Sequence, residues 1–176
     1  MEWKELMQIR QSCRAYTGRQ VTDAQLKEIL RAGCAAPVAR GNYEQLQLTV
    51  IQDKALLEAI DDVARKAYGD DSFICTRGAP TVILVSVQEE QGQIPPMMLA
   101  SAACVVENMH LAATSLGLGS VYLGSIQAVN NSLEVLYRLR LRDGFWPVLA
   151  LAVGEARDPA EKRAVPMTRI FTNIIE

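Results

Sequence analysis

The stretch that most limits what this chain can fold into runs from Met97 to Leu116. It reads "MMLASAACVVENMHLAATSL", with no proline, no glycine and one charge, at Glu107. The pattern predicts a long helix that is apolar almost all round, and such a helix has to be covered on every side. Glu107, Asn108 and His110 interrupt it, and small and hydroxyl residues are frequent in it. It therefore reads as a buried helix and not as a membrane span. Two arrangements would cover it: a central position inside a monomer, or a second subunit laid over one face. The burial argument favours the second, a large homodimer interface.

The flanking sequence supplies a layered domain. Residues 2–12 read as a helix with Trp3, Leu6, Met7 and Ile9 on its apolar side, broken at Thr17-Gly18. Thr22 and Gln25 form the pattern of a capping box, and Leu26, Ile29, Leu30 and Gly33 continue it at helical spacing, predicting a helix over 23–35. Pro37 and Gly41 mark a loop. "LQLTVI", 46–51, alternates as a strand does. Asp53 is placed to cap a helix to about Ala67, with Gly69 as its stop. "PTVILVSV", 80–87, is a β-branched run expected to be buried on both faces. Gly117–Gly119 ends the long helix, "SVYLG" is a short strand, and Asn130 or Asn131 caps a helix to about Arg140. "WPVLALAVG", 146–154, is the last buried strand, and the tail closes on "RIFTNII", which has strand character. With 176 residues and no repeat or linker, this is one α+β or α/β domain.

Several function classes are disfavoured. A net charge of −2 gives no electrostatic case for nucleic acid. "MEWKELMQIR" lacks the basic start and apolar run of a signal peptide. Cys13, Cys34, Cys75 and Cys104 are widely spaced without a CxxC pair, and His110 is the only histidine. No metal site is expected; reduced thiols in a cytoplasmic protein are. His110 lies on the apolar helix, where a hydrogen-bonded core or interface role is commoner than a catalytic base; Glu107 and Asn108 read the same way. "LGLGSVY" offers Gly117 and Gly119 as a GxG, but Tyr122 stands where a third glycine belongs. The glycines also follow a helix and precede a strand, the reverse of the dinucleotide fingerprint.

One cluster invites a ligand. Arg10 and Arg14 are four apart, so on a helix they share a face, with Ser12 between them. Two guanidiniums and a hydroxyl suit a phosphate dianion. Arginines at a helix C-terminus also simply favour the dipole and sit in solvent, and these residues alone leave both readings open. Arg19, beyond the Thr17-Gly18 break, reads as a solvated charge.

Four segments in series resemble the nitroreductase family of flavin enzymes. "IRQSCRAY" is similar to the family's opening Arg-x-Ser-x-Arg/Lys-x-Phe/Tyr element. "AAPVARGNYEQLQLTVI" looks like its Ala-Pro-Ser loop and following strand. "ENMHLAATSLGLGSVYLGS" looks like its central helix and Gly-Leu-Gly strand, and "LALAVGEARDPAEKRAVP" like its final core strand and basic tail. The resemblance spans nearly the whole chain. It implies a single domain over 1–176 with the α+β three-layer fold of that family, a mainly antiparallel sheet flanked by helices. It also implies an intertwined homodimer in which the 155–176 tail packs on the partner.

FMN would lie at the subunit interface, with Arg10, Ser12 and Arg14 on its phosphate, helped by Gln11 and Cys13 and reached by Lys162 or Arg163. Pro37, Val38, Ala39 and Asn42 would line the ring or ribityl chain, and Leu123, Gly124 and Ser125 would face the isoalloxazine. The implied activity is reduction of electron-poor acceptors, nitroaromatic or quinone, by NADH or NADPH in ping-pong turnover, with the flavin and no side chain carrying the chemistry. The chain departs from the family pattern at Val38, which replaces the loop serine, at "GNYEQL", which replaces Asn-x-Gln-Pro-Trp, and at Lys162-Arg163-Ala164. These departures motivate an alternative: an FMN-binding sensor or carrier without turnover. A third reading is a helical dimer scaffold with no ligand.

Overall fold

Four strands pair antiparallel into one sheet in the computed structural model, which describes residues 2–175. They are β1 (Leu46–Ile51), β2 (Thr81–Gln88), β3 (Gly119–Leu123) and β4 (Phe145–Gly154), in the order β1-β2-β4-β3. The two unbroken apolar runs, β2 and β4, take the centre, where both faces are covered. The two-residue period of a strand then divides the core in two. Val82 and Leu84 of β2 and Ala150 and Ala152 of β4 point to one face. Ile83, Val85, Leu149, Leu151 and Val153 point to the other. The register slips by one between Val85/Leu149 and Ser86/Pro147, leaving Val148 as an extra residue on β4. That bulge is why Val148 and Leu149 share one core cluster, and it falls next to a proline that has no N–H for the ladder.

Helices layer both faces. On the first lie α3 (Lys54–Tyr68), a 3-10 segment (Ser125–Asn131) and α5 (Leu133–Leu139), burying Leu57, Ile60, Ile126, Val129 and Val135. On the second lie α2 (Asp23–Cys34) and α4 (Pro96–Ser115), burying Ile29, Val106, Met109 and Ala113. The capping box at Thr22 and Gln25 forms, Asp53 Oδ1 accepts the Leu56 N–H at 2.7 Å, and Gly69 ends α3 at φ 63°. Gly33 sets the α2–α4 approach: a Cβ there would lie 2.9 Å from Met109 Cγ.

The long apolar helix is covered on one side only. Met98, Ala102, Val105, Met109 and Ala113 are buried, whereas Met97, Ala100, Cys104, Glu107 and Ser115 are exposed. Those five recur at helical spacing and form a strip of mostly small or apolar residues facing outward. The tail adds more exposed apolar surface, including Phe171 at 92%. Among the described residues no helix is long and apolar enough to cross a membrane.

Three local expectations are corrected. The first helix, α1 (Trp3–Ile9), stops at Ile9 instead of residue 12, because Arg10 turns to ψ 117° and the chain becomes extended. The helix before β4 is capped by Ser132, not by Asn130 or Asn131, which lie in the 3-10 segment. The tail segment "RIFTNII" forms no strand; the described tail holds one 3-10 turn, Met167–Arg169.

Candidate functional site

The extended segment after α1 is held by backbone pairing. The Cys13 N–H donates to the Ser120 carbonyl at 2.9 Å, Thr17 N–H to Glu155 O at 3.0 Å, and Arg157 N–H to Ala15 O at 3.0 Å. Residues 12–17 therefore run between the start of β3 and the chain leaving β4, bridging Ser12 to Ser120 and Tyr16 to Ala156. Gly119 allows this closeness, since a Cβ on it would meet Cys13 Sγ at 2.6 Å and Ala156 Cβ at 2.9 Å. Gly117 (φ 75°) ends α4 just before, so the two glycines are a helix stop and a close approach.

In this extended segment the relevant period is two, not 3.6. Ser12 and Arg14 are exposed while Gln11, Cys13 and Ala15 are half-buried. The helical face expected to join Arg10 and Arg14 therefore does not form; it is Ser12 and Arg14 that point the same way, along a strand-like chain. Both open onto a cavity of about 640 Å³ that Gln11, Cys13, Leu118 and Arg157 also line. Arg14 in addition borders a smaller cavity, about 330 Å³, with Phe73 and Arg77 on its other walls.

Arg10 lies at the edge of this arrangement. It is half-buried and does not line the larger cavity. Its Nε is 3.8 Å from Glu107 Oε1, and the Arg163 guanidinium donates to its carbonyl. Glu107 is held below the usual carboxylate range, chiefly by the neighbouring His110 ring and further by Arg10. His110 is buried, with Nε2 3.4 Å from the Gln11 carbonyl and Nδ1 3.6 Å from Glu107 Oε2. It braces the 10–11 turn from α4, as expected of a core histidine. Asn108 likewise donates to Ala32 O at 3.0 Å.

The other expected residues are spread around the protomer. Val38 and Ala39 pack against the α2–α4 core cluster, and the Ala39 N–H donates to Ser101 Oγ on α4 at 3.0 Å. Pro37 is exposed, and Asn42 Nδ2 reaches Gln45 Oε1 at 3.4 Å. Leu123 is buried at the end of β3, Gly124 is exposed, and Ser125 Oγ is 3.4 Å from Cys75 Sγ. Lys162 pairs with Glu5 at 2.6 Å. Arg163 holds α1 through the Gln8 and Arg10 carbonyls. One protomer therefore joins Gln11, Ser12, Cys13 and Arg14 around one cavity, places Arg10 and Arg163 beside it, and leaves the 37–42 loop and residues 123–125 outside it.

Two arginines were missed by sequence reasoning. Arg157 lines the larger cavity and donates to Tyr16 O at 3.4 Å. Arg77 faces Arg14 across the smaller one, its guanidinium 5.2 Å from the Phe73 ring and its backbone in the left-handed region at φ 59°. A non-glycine residue at positive φ followed by Gly78 is the signal, but only the structure shows where its side chain goes. Among the described residues neither Arg14 nor Arg77 has an ion pair within 4 Å. Asp70, the nearby carboxylate, is held down by its hydrogen bonds from Ser72 instead. Three buried polar atoms here lack a partner: Arg77 Nε, Arg163 Nε and Ser120 Oγ. Unpaired buried donors are costly, and a ligand with several acceptor oxygens and negative charge fits them. No group of His, Cys, Asp and Glu able to hold a metal occurs among the described residues.

Comparison with known proteins places this architecture. The model of the nitroreductase family matches residues 7–71 and 73–155. A provisionally named NADH dehydrogenase/NAD(P)H nitroreductase of Archaeoglobus fulgidus is 30% identical over 124 residues, covering 70% of this chain and 67% of that protein. An NADPH-dependent oxidoreductase of Staphylococcus epidermidis is 25% identical over 182 residues, covering 95% of this chain and 71% of the other. The crystal structure of a Bacteroides fragilis nitroreductase with bound FMN superposes with a TM-score of 0.83 at 26% identity, covering both chains fully. A Desulfitobacterium hafniense nitroreductase with bound FMN gives 0.84 at 21% identity over 98% and 97% of the two chains. The chain belongs to the nitroreductase family, with its α+β fold of a four-stranded antiparallel sheet between helical layers.

Proposed function

We propose that this protein is an FMN-dependent oxidoreductase that uses NADH or NADPH to reduce electron-poor acceptors of nitroaromatic or quinone type. The observation that carries the reading is the pair of guanidiniums without carboxylate partners, Arg14 and Arg77, around the Ser12 segment. In a chain of net charge −2, they answer to an anionic ligand. The likeness to FMN-bound nitroreductases names that ligand.

Ser12 and Arg14 bind the phosphate by hydroxyl and guanidinium hydrogen bonds. Gln11 and Cys13 lend backbone or side-chain contacts, Arg10 adds charge from the side, and Lys162 or Arg163 reaches the same phosphate from the tail. Glu107 and His110 hold the turn that carries Arg10. Pro37, Val38, Ala39 and Asn42, with Leu123, Gly124 and Ser125, line the ring and ribityl chain. Because these two groups lie outside the cavity of one protomer, the complete site is formed in a homodimer, across the uncovered face of α4 and the apolar 155–176 tail. When bound, FMN would supply two-electron redox chemistry between a nicotinamide donor and an acceptor that use the site in turn. The protein positions the group and tunes it electrostatically, so no side-chain base is needed and His110 stays structural.

The test is direct. The expected outcome is a yellow purified protein whose flavin absorbance anaerobic NADH or NADPH bleaches promptly. Flavin that stays oxidised under both donors points instead to a sensor or carrier, a reading favoured by Val38 in place of the loop serine. Colourless protein that takes up no added FMN refutes both. FMN retained unchanged after Arg10→Ala and Arg14→Ala together refutes the phosphate assignment.

A further inference from the structure

A second sizeable cavity lies far from the candidate site. It measures about 800 Å³ and lies between α5 and the start of β4. The Ser12–Arg14 cavity touches the chain just after β4 ends, at Glu155 to Ala160. The ten residues of β4 separate the two by roughly 30 Å, at about 3.3 Å per residue. We propose that this cleft binds a small planar aromatic carboxylate.

The walls supply the aromatic half of the argument. Leu136 and Tyr137 of α5 face Phe145 and Trp146 of β4 across the cleft, with Leu56 of α3 and Leu141 closing it. Tyr137 is 87% exposed, an unusual position for a tyrosine beside an apolar hollow. Trp146 adds an indole to the same lining. Volume and lining match those of small-molecule sites.

Charge supplies the other half. The sequence "YRLRLRD" places Arg138, Arg140 and Arg142 on alternate residues. Arg138 is committed to Asp53 at 3.1 Å, and Asp53 is the only carboxylate in the lining. Arg142 stacks on Phe145 at 4.7 Å and donates to Glu44 O at 3.0 Å. Arg140 alone has no side-chain hydrogen bond or ion pair among the described residues. Its backbone sits at φ 51°, ψ 48°, the left-handed position after a helix where glycine or asparagine is usual. A long cationic side chain kept at a glycine-like position, unpaired, over an aromatic cleft is explained by a ligand that needs it. The guanidinium fork suits a carboxylate, and the ring walls a flat ring.

The experiment uses the full chain, loaded with FMN where it takes FMN up, and titrates 2-naphthoate and its neutral analogue 2-naphthamide by calorimetry. The expected result is saturable binding of 2-naphthoate, at least about tenfold tighter than the amide. Arg140→Gly weakens naphthoate binding about tenfold or more while leaving Tm unchanged or raised, because glycine accepts the left-handed backbone. Trp146→Phe weakens binding severalfold, and the flavin spectrum is undisturbed throughout. Absence of saturable binding overturns the proposal. So does binding that ignores Arg140→Gly, or that shifts the flavin spectrum, which places the ligand at the other site. The outcome does not depend on FMN, so failure here leaves the oxidoreductase reading standing, and the reverse also holds.

Discussion

Gly119 is the residue on which the proposed phosphate-binding segment depends. Its missing Cβ makes room for Cys13 and Ala156, and the Cys13–Ser120 hydrogen bond fixes where Ser12 and Arg14 point. In Gly119→Ala the new Cβ would meet Cys13 Sγ at 2.6 Å and the Cβ atoms of Cys13 and Ala156 at 2.9 Å, and a Cβ atom moves only with its backbone. Overpacking of this kind costs about 1–3 kcal/mol. The expected outcome is a lower denaturation midpoint together with weaker FMN binding, measured by urea titration and by flavin fluorescence. Unchanged affinity in a destabilised variant would separate the segment from the ligand. Cys75 makes a second residue-scale case. Burial pushes its thiol up, against the weaker opposing effect of the Ser125 hydrogen bond. A thiol whose pKa is raised by folding contributes stability that is full below its ordinary range and falls as pH rises through and above it. At pH 8 a thiol reagent should label exposed Cys34 and spare Cys75 until the protein unfolds, which peptide mapping after timed labelling would show.

At the scale of elements, the parts specified by local chemistry were readable and the parts specified by distant partners were not. The Thr22 and Gln25 cap, the Asp53 cap and the Gly69 stop are contacts within a few residues, and all three form as the spacing requires. β2 and β4 were readable because only a central strand tolerates an unbroken apolar run. The end of α1 was not. "RQSCR" contains no glycine or proline and suits a helix; what stops it is pairing with Ser120, more than a hundred residues away. The same loss of information affected the site. On a helix Arg10 and Arg14 would share a face; in the extended chain the period of two brings Ser12 and Arg14 together instead and leaves Arg10 at the edge. Arg77 was hidden because a fold contact, and no motif, brings it to Arg14. The α2–α4 layer offers a test of the element reading. Met109 is fully buried where the two helices meet at Gly33. Met109→Ala leaves a cavity and should cost about 2–5 kcal/mol, with α-helical circular dichroism retained at low denaturant. A loss under 1 kcal/mol would mean that the layers collapse onto one another more freely than their packing suggests.

At the scale of the whole molecule, the unresolved balance is apolar surface. The strip of α4 through Met97, Ala100 and Cys104 is exposed, and so are Met167, Ile170, Phe171, Ile174 and Ile175 of the tail. A soluble monomer seldom carries contiguous apolar patches of that extent, and in the proposed site the 37–42 loop and residues 123–125 would meet the Ser12 segment only across a partner. Both deficits have the same remedy, a second copy. Oligomerisation and cofactor loading should then be one linked equilibrium, each favouring the other by mass action. Cys104→Arg places a charge mid-strip on α4, a helix whose fold-facing side it does not touch. The variant should keep its secondary structure, sediment as a monomer where the parent sediments as a dimer, and lose FMN in proportion to the monomer formed. Removing residues 165–176 should act in the same direction through the tail. A monomeric Cys104→Arg protein that holds FMN as tightly as the parent would break the linkage and place the whole cofactor site within one protomer. Monomeric behaviour of the parent itself would leave α4 uncovered on a face with no counterpart to bury it.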